Sequence, residues 1–177
     1  MSSLTSLAIA ARDGDRRALG RFVEESQADV WRYCAYLTDS QSADDVTQDT
    51  YTRAIGSLHR FRGEGDAKVW LLSIARRAAA DHLRARARRI RLVERLRNDV
   101  IDPTFRSTES SLELTHLVRS LDTDRRDAFV LTQILGLGYD EAARICGCPI
   151  GTIRSRVARA RDELASTLYR ADRATGS

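Results

Sequence analysis

The sequence predicts an all-α protein: two small helical domains joined by a flexible linker. Apolar residues recur at helical spacing along most of the chain. Only two prolines, Pro103 and Pro149, interrupt 177 residues, so long stretches can stay helical. No stretch reads as a convincing β-strand.

Each element follows in order. Leu4 to Arg12 form a short helix that stops at Asp13-Gly14-Asp15. Over residues 16–38, Leu19, Phe22, Val23, Val30, Tyr33, Cys34 and Leu37 draw one apolar stripe at helical intervals. Asp39-Ser40-Gln41-Ser42 breaks it, and Ser42 is placed to cap the next helix, with Asp44 and Asp45 in its first turn. That helix turns Val46, Tyr51, Ala54 and Ile55 inward, and Gly56, Gly63 and Gly65 mark 56–66 as a loop. A longer helix starts near Asp66, carries Val69, Trp70, Leu71, Ile74, Ala75, Ala78 and Leu83, and grows rich in arginine through Arg84, Arg86, Arg88 and Arg89. Residues 98–110, with Pro103 and a run of serine, threonine and glutamate, form the linker. Leu112, Leu114, Leu117, Val118 and Leu121 begin the second domain. A further helix runs from Asp122 through Phe129, Leu131 and Ile134 and ends at Gly136 and Gly138. The expected domains are 1–97 and 111–177. The second has fewer than 70 residues and should be marginal alone.

The net charge of +4 is unevenly spread. Residues 58–98 hold 12 basic and 4 acidic groups, while the segments on either side are slightly acidic. A basic middle suggests a local polyanion contact. All the basic residues except Lys68 are arginine, which suits phosphates and guanine edges, although a GC-rich genome gives the same bias. No apolar run is long enough to span a membrane, and the N-terminus lacks the pattern of a signal peptide, so a cytoplasmic protein is expected. His59, His82 and His116 are scattered, and no nucleotide-binding loop, nucleophile elbow or paired acid site appears. Cys146 and Cys148 lack further ligands at metal-site spacing. The chain is therefore expected to be no enzyme and to use no metal or cofactor. A redox role for the two cysteines stays open.

The most specific signal lies in residues 139–168. Tyr139 to Cys146 form a short amphipathic helix, Gly147-Cys148-Pro149 a turn, and Ile150 to Arg161 a second helix, which together make a helix-turn-helix. Ile150, Ile153, Val157, Ala160, Leu164 and Leu168 share the apolar side of the second helix. Thr152, Ser155 and Arg159 lie opposite, flanked by Arg154 and Arg156. Small polar groups with arginine fit a major groove, where arginine engages guanine O6 and N7. The competing reading is a solvated arginine face on an ordinary helical hairpin.

Gly151-Thr152-Ile153-Arg154-Ser155-Arg156, continuing Arg159-Ala160-Arg161, resembles the C-terminal DNA-reading domain of the extracytoplasmic-function (ECF, group 4) sigma factors, within the sigma-70 family. Ser42-Ala43-Asp44-Asp45-Val46-Thr47-Gln48-Asp49-Thr50-Tyr51 is similar to the family's polymerase-docking helix. Phe61-Arg62-Gly63, Trp70 to Arg76 and Asp81-His82-Leu83-Arg84 resemble its promoter-melting region. The wording around Cys146 to Pro149 resembles the actinobacterial sigma C subgroup.

The resemblance implies that Asp44, Asp45, Gln48 and Asp49 dock on the β′ clamp helices of core RNA polymerase. Their simpler role is capping and dipole matching. It also implies that Arg60, Phe61, Arg62, Lys68, Arg76, Arg77 and Arg84 serve the promoter −10 element. Phe61 would hold a flipped base, or else plug the core beneath the loop. Thr152, Arg154, Ser155, Arg156 and Arg159 would read the −35 element, and the same domain would touch the β flap. The implied partners are core polymerase and promoter DNA, with an anti-sigma factor as a further candidate and no membrane or small-molecule substrate. A stand-alone helix-turn-helix regulator, the alternative, leaves the acidic helix and the Phe61 loop unexplained. A sigma-like adaptor without promoter reading leaves Arg154, Arg156 and Arg159 unexplained.

Overall fold

The computed structural model describes residues 2–96 and 110–175. Of the expected linker, only Ser110 falls within them. The described residues form helices and the turns between them, with no strand.

The N-terminal bundle has four α-helices. Helix α1 (Ser3–Arg12) is capped by Ser2, whose hydroxyl accepts from the Thr5 amide, and α2 (Arg16–Leu37) by Asp15, which accepts from the Arg17 and Ala18 amides. The predicted stripe of α2 points inward: Phe22, Val30, Tyr33, Cys34 and Leu37 are buried. Helix α3 (Ser40–Ser57) starts earlier than expected, because Asp39 is its cap and accepts from the Ser42 amide at 2.8 Å. Asp44 and Asp45 therefore lie beyond the first turn, and the dipole does not explain them. Val46, Tyr51 and Ala54 are buried as expected, whereas Ile55 points outward at 46% exposure. A 3-10 turn, Leu58–Arg60, leads into the loop before α4 (Ala67–Leu96). The Ala67 amide donates to the buried Thr5 hydroxyl, tying the start of α4 to α1.

The C-terminal bundle contains α5 (Ser110–Ser120), α6 (Thr123–Phe129), a π-helical turn (Val130–Ile134), α7 (Tyr139–Cys146) and α8 (Ile150–Thr175). The π turn replaces the end of the long helix expected through Ile134. It closes with the Leu135 amide on the Val130 carbonyl before Gly136 turns the chain at φ +69°. Gly147 ends α7 at φ +65°, a conformation costly for any residue with a Cβ.

The two bundles pack on each other, α7 against α4 and α5 and α6 against α2. Two guanidiniums of the second bundle cap the last carbonyls of α2, which have no partner within the helix. Arg119 donates to Ala35 O at 2.6 and 3.1 Å, and Arg126 to Leu37 O at 3.3 Å. Burial lowers the pKa of both arginines.

Candidate nucleic-acid and polymerase interfaces

Helix α8 is divided by the contacts that anchor it. Ile153, Val157, Ala160 and Leu164 are buried against the bundle, while Arg154, Ser155 and Arg159 are exposed and Thr152 is half-buried. The expected ends of the apolar stripe instead stand in solvent, Ile150 at 41% and Leu168 at 52% exposure. Among the described residues, no side-chain partner engages the Arg154 or Arg159 guanidinium. Arg156 differs from them. It pairs with Asp124 of α6 and approaches the Cys148 sulfur at 3.5 Å, so it helps hold α8 to its bundle. Four of the five predicted −35 residues thus share an accessible face, and Arg156 sits at its structural edge.

The predicted −10 residues are more dispersed. Arg60, Arg62, Arg77 and Arg84 are exposed, although Arg84 pairs with Asp81 at 2.6 Å. Arg60 lies against the His59 ring nitrogen. Lys68 is half-buried and paired with Asp29 at 2.7 Å. Phe61 is 5% exposed and packs on Trp70 with ring centroids 5.0 Å apart. In this conformation it plugs the core under the loop. A Cβ on Gly63, at φ +74°, would meet Ile9 at 2.9 Å, so the loop lies close on α1. Arg76 is half-buried, and its Nε donates to Asp127 at 2.6 Å.

Asp127 is the residue that sequence reasoning missed. It is 1% exposed, and its other oxygen accepts from the Tyr33 hydroxyl at 2.9 Å. Burial pushes the Asp127 carboxyl above the usual carboxylate range in spite of Arg76 and Tyr33. Burial alone would lower the Arg76 pKa, but the charge of Asp127 raises it. The Tyr33 hydroxyl, fully buried, is pushed well above its ordinary value. Nearby, burial first and the Asp127 charge second push the Cys146 thiol up to about 12. The sequence did hold a signal: Asp127 lies at helical spacing from Val130 and Leu131, a carboxylate in an apolar stripe.

The acidic face of α3 is accessible. Asp44, Asp45 and Gln48 are exposed and Asp49 is half-buried. Asp44 accepts from the indole N–H of the part-exposed Trp31 at 2.7 Å, and Asp49 pairs with Arg53, which reaches across to Asp81 on α4. Asp45, Asp49, Arg53 and Asp81 line a shallow groove between α3 and α4. Acidic and amide groups on one face suit a basic partner helix.

Two family models match successive parts of the chain. Residues 22–89 match sigma-70 region 2, and residues 111–164 match sigma-70 region 4. A relative described as a probable RNA polymerase sigma-C factor, from Mycobacterium bovis, is 49% identical over 165 residues, spanning 92% of this chain and 89% of the relative. The RNA polymerase sigma-H factor of Pseudomonas aeruginosa is 31% identical, with 88% of each chain covered. This chain belongs to the ECF sigma factors of RNA polymerase. As a member it binds core polymerase and directs promoter-specific initiation through −35 and −10 elements, and its family is not one of enzymes. A stand-alone regulator would account for the second half alone. Among solved structures, CnrH in complex with the cytosolic domain of CnrY superposes with a TM-score of 0.74 at 27% identity, covering 94% of this chain and 97% of that one. The sigma factor RpoE of Bartonella quintana, solved with the anti-sigma factor NepR, gives 0.70 at 30% identity, with 84% and 97% covered. Among the described residues no helix is long and apolar enough to cross a membrane.

Proposed function

We propose a specific division of labour for this sigma factor. Residues 1–97 dock on the polymerase and serve the −10 element, residues 98–110 link, and residues 111–177 read the −35 element. Asp44, Asp45, Gln48 and Asp49 form the docking face for the β′ clamp helices. Thr152, Arg154, Ser155 and Arg159 face the −35 duplex, with Arg156 at its margin holding α8 in place. Arg60, Arg62, Arg77 and Arg84 approach the −10 region from the loop and α4, and Arg76 joins them once freed from Asp127. Arg88 and Arg89, exposed along α4, contribute phosphate contacts, whereas Arg86 between them and Arg84 is paired with Asp39.

The observation that carries this reading is the division of α8, which buries Ile153 and Val157 and leaves Arg154, Ser155 and Arg159 in solvent. Two solved neighbours were captured with binding partners, CnrY and the anti-sigma factor NepR. We extend an anti-sigma partner to this chain on that basis. The chain itself carries out no catalysis and works in the cytoplasm beside the polymerase. Run-off transcription with core enzyme tests the whole: added chain should create a new promoter-specific start site, and no new start would reject the assignment. Within that assay, Asp45→Arg should weaken capture of core polymerase about tenfold or more, the scale of charge reversal at a close charged pair. DNA binding by α8 should be unaffected. Unchanged polymerase capture would remove α3 from the docking face.

A further inference from the structure

We propose that Cys146 and Cys148 form a redox modification site in the turn of the helix-turn-helix, where a hydroperoxide converts the two thiols into an intrachain disulfide that re-aims α8 and weakens promoter reading. The effect on transcription rests on the assignment of α8 to the −35 element. Both thiols are free and half-buried, and a single glycine separates them. Gly147 has φ +65° and ψ +37°, a left-handed helical conformation. Helical backbone of either hand sets Cα atoms two residues apart at about 5.4 Å, inside the span of about 4.4–6.8 Å that a disulfide bridges. Helical side chains two positions apart do not face each other, so the bridge closes only by turning the chain at Gly147. That turning is open to it: a Cβ on Gly147 would meet nothing within 4 Å, and without one its dihedral angles are free to change. The same turn sets the course of α8. The Cys148 amide donates to Ala143 O at 3.1 Å, and Pro149 O accepts from the Thr152 amide at 2.9 Å. Closing the bridge moves Cys148 relative to α7, and the start of α8 moves with it.

Arg156 marks Cys148 as the sulfur that reacts first. Its Nη1 lies 3.5 Å from the Cys148 sulfur, while Nη2 is anchored on Asp124. A guanidinium held this way keeps further N–H groups for a peroxide oxygen and stabilises the negative charge that grows on the leaving oxygen. The Cys146 thiol, pushed up to about 12 chiefly by burial, stays protonated and enters second. In the first step the Cys148 sulfur attacks the terminal oxygen of the hydroperoxide. An S–O bond forms, the O–O bond breaks, and the leaving oxygen takes the Cys148 proton to become water or an alcohol. In the second step the Cys146 sulfur attacks the sulfenic sulfur. The S–S bond forms, the S–O bond breaks, and the hydroxyl departs as water with the Cys146 proton. The two thiols lose two electrons in all, and the peroxide gains them. A dithiol reductant reverses the change by thiol–disulfide exchange. Cys34, fully buried in the N-terminal bundle, takes no part.

The experiment treats the full chain with hydrogen peroxide, removes the excess with catalase, and maps disulfides by peptide mass spectrometry. Treated and untreated chains are then assembled with core polymerase for run-off transcription, with and without dithiothreitol. The treated wild type should gain a Cys146–Cys148 bridge and lose about tenfold in transcript, within the usual range for coupling between two states. Its capture of core polymerase should be unchanged, and dithiothreitol should restore the transcript. Cys148→Ser and Cys146→Ala should form no bridge and transcribe equally before and after peroxide. Arg156→Gln, followed by mass alone, should form the bridge about tenfold more slowly or worse.

No Cys146–Cys148 bridge in the treated wild type would overturn the proposal, and so would a bridge that leaves the transcript unchanged. A transcript lost equally in Cys148→Ser would place the damage elsewhere and overturn it too. Bridge formation in Arg156→Gln at the wild-type rate would overturn the order of attack. Should Cys146→Ala lose helical circular dichroism, Cys148→Ser decides, since it exchanges one sulfur for oxygen. The untreated wild type separates the two claims. Transcription with no bridge after peroxide keeps the sigma function and overturns the redox site. A bridge in a chain that never transcribes removes the promoter role of α8, and that also overturns the proposal as stated.

Discussion

Helix α8 carries Arg154 and Arg159 into open solvent, whereas the middle of α4 holds Arg76 against a carboxylate of the other domain. Both helices have one buried side and one arginine-rich side, and by composition alone they look alike. They differ in what covers the polar side. Nothing described packs over the exposed face of α8, while α7 lies against α4. An exposed arginine contributes little to the fold and is free to engage a ligand. Arg76 is half-covered and its Nε is committed to Asp127, so it contributes to the packing of the two bundles. The comparison teaches that an arginine-rich helix defines a binding surface only after its internal anions are subtracted. By that measure α8 is a ready surface and α4 a partly committed one.

The largest expected effect tests whether the open face of α8 depends on the buried one. Ile153 is fully buried and lies between Thr152 and Arg154. Ile153→Ala should cost about 2–5 kcal/mol, which a small domain cannot absorb easily. In urea unfolding followed by circular dichroism, the C-terminal bundle should melt well before the N-terminal one. Binding of −35 duplex should be lost while polymerase capture through α3 persists. A single shared unfolding transition at the wild-type midpoint would show that α8 does not owe its shape to this core.

Next in size is Arg159→Ala, which removes a free guanidinium and no internal contact shown in the structure. A good base contact is worth about 1–3 kcal/mol. The loss should appear on −35 duplex and be nearly absent on scrambled duplex, measured by fluorescence anisotropy at fixed salt. Equal losses on both sequences would reassign Arg159 to phosphate and make α8 resemble α4 more closely.

Much of this contrast was legible in the sequence. The inward stripe of α2, the helix-turn-helix and the division of α8 follow from residue spacing, because a helix buries one side whatever it packs against. What the sequence hid has a common physical origin. Ser42 looked like a cap because the sequence does not reveal which of two nearby acceptors a chain reversal aligns, and Asp39 was the one aligned. Between the base-holding and core-plugging readings of Phe61 the sequence could not choose, because a loop residue's burial depends on what lies beneath it, here Trp70. The partners of Arg76, Lys68 and Arg156, namely Asp127, Asp29 and Asp124, were not legible because they are distant in sequence and meet them through tertiary packing. Docking of one bundle on the other was hidden for the same reason: its polar contacts run between Tyr33, Ala35, Leu37 and Arg76 on one side and Arg119, Arg126 and Asp127 on the other.

The smallest effect asks whether Arg86, on the distal half of α4, is committed in the same way as Arg76. Its guanidinium pairs with Asp39, the cap of α3, whose side chain is 11% exposed. Burial alone would raise the Asp39 pKa, but the Ser42 amide and hydroxyl and the Arg86 charge outweigh it and hold the carboxyl below its usual value. A carboxyl lowered on folding stabilises the fold above its unfolded pKa, and the gain is lost as pH falls through the lowered folded value. Asp39→Ala should therefore cost about 0.5–2 kcal/mol at neutral pH, the range for a lost helix cap. The gap to wild type should close as the medium is acidified below about pH 4, near the ordinary aspartate pKa. Arg86→Ala should remove part of the same pH dependence and weaken non-specific DNA binding little. If the gap stays constant down to pH 3, or if Arg86→Ala weakens DNA binding as much as Arg159→Ala does, Arg86 belongs with the free arginines of α8, and the commitment of α4 is confined to the segment around Arg76.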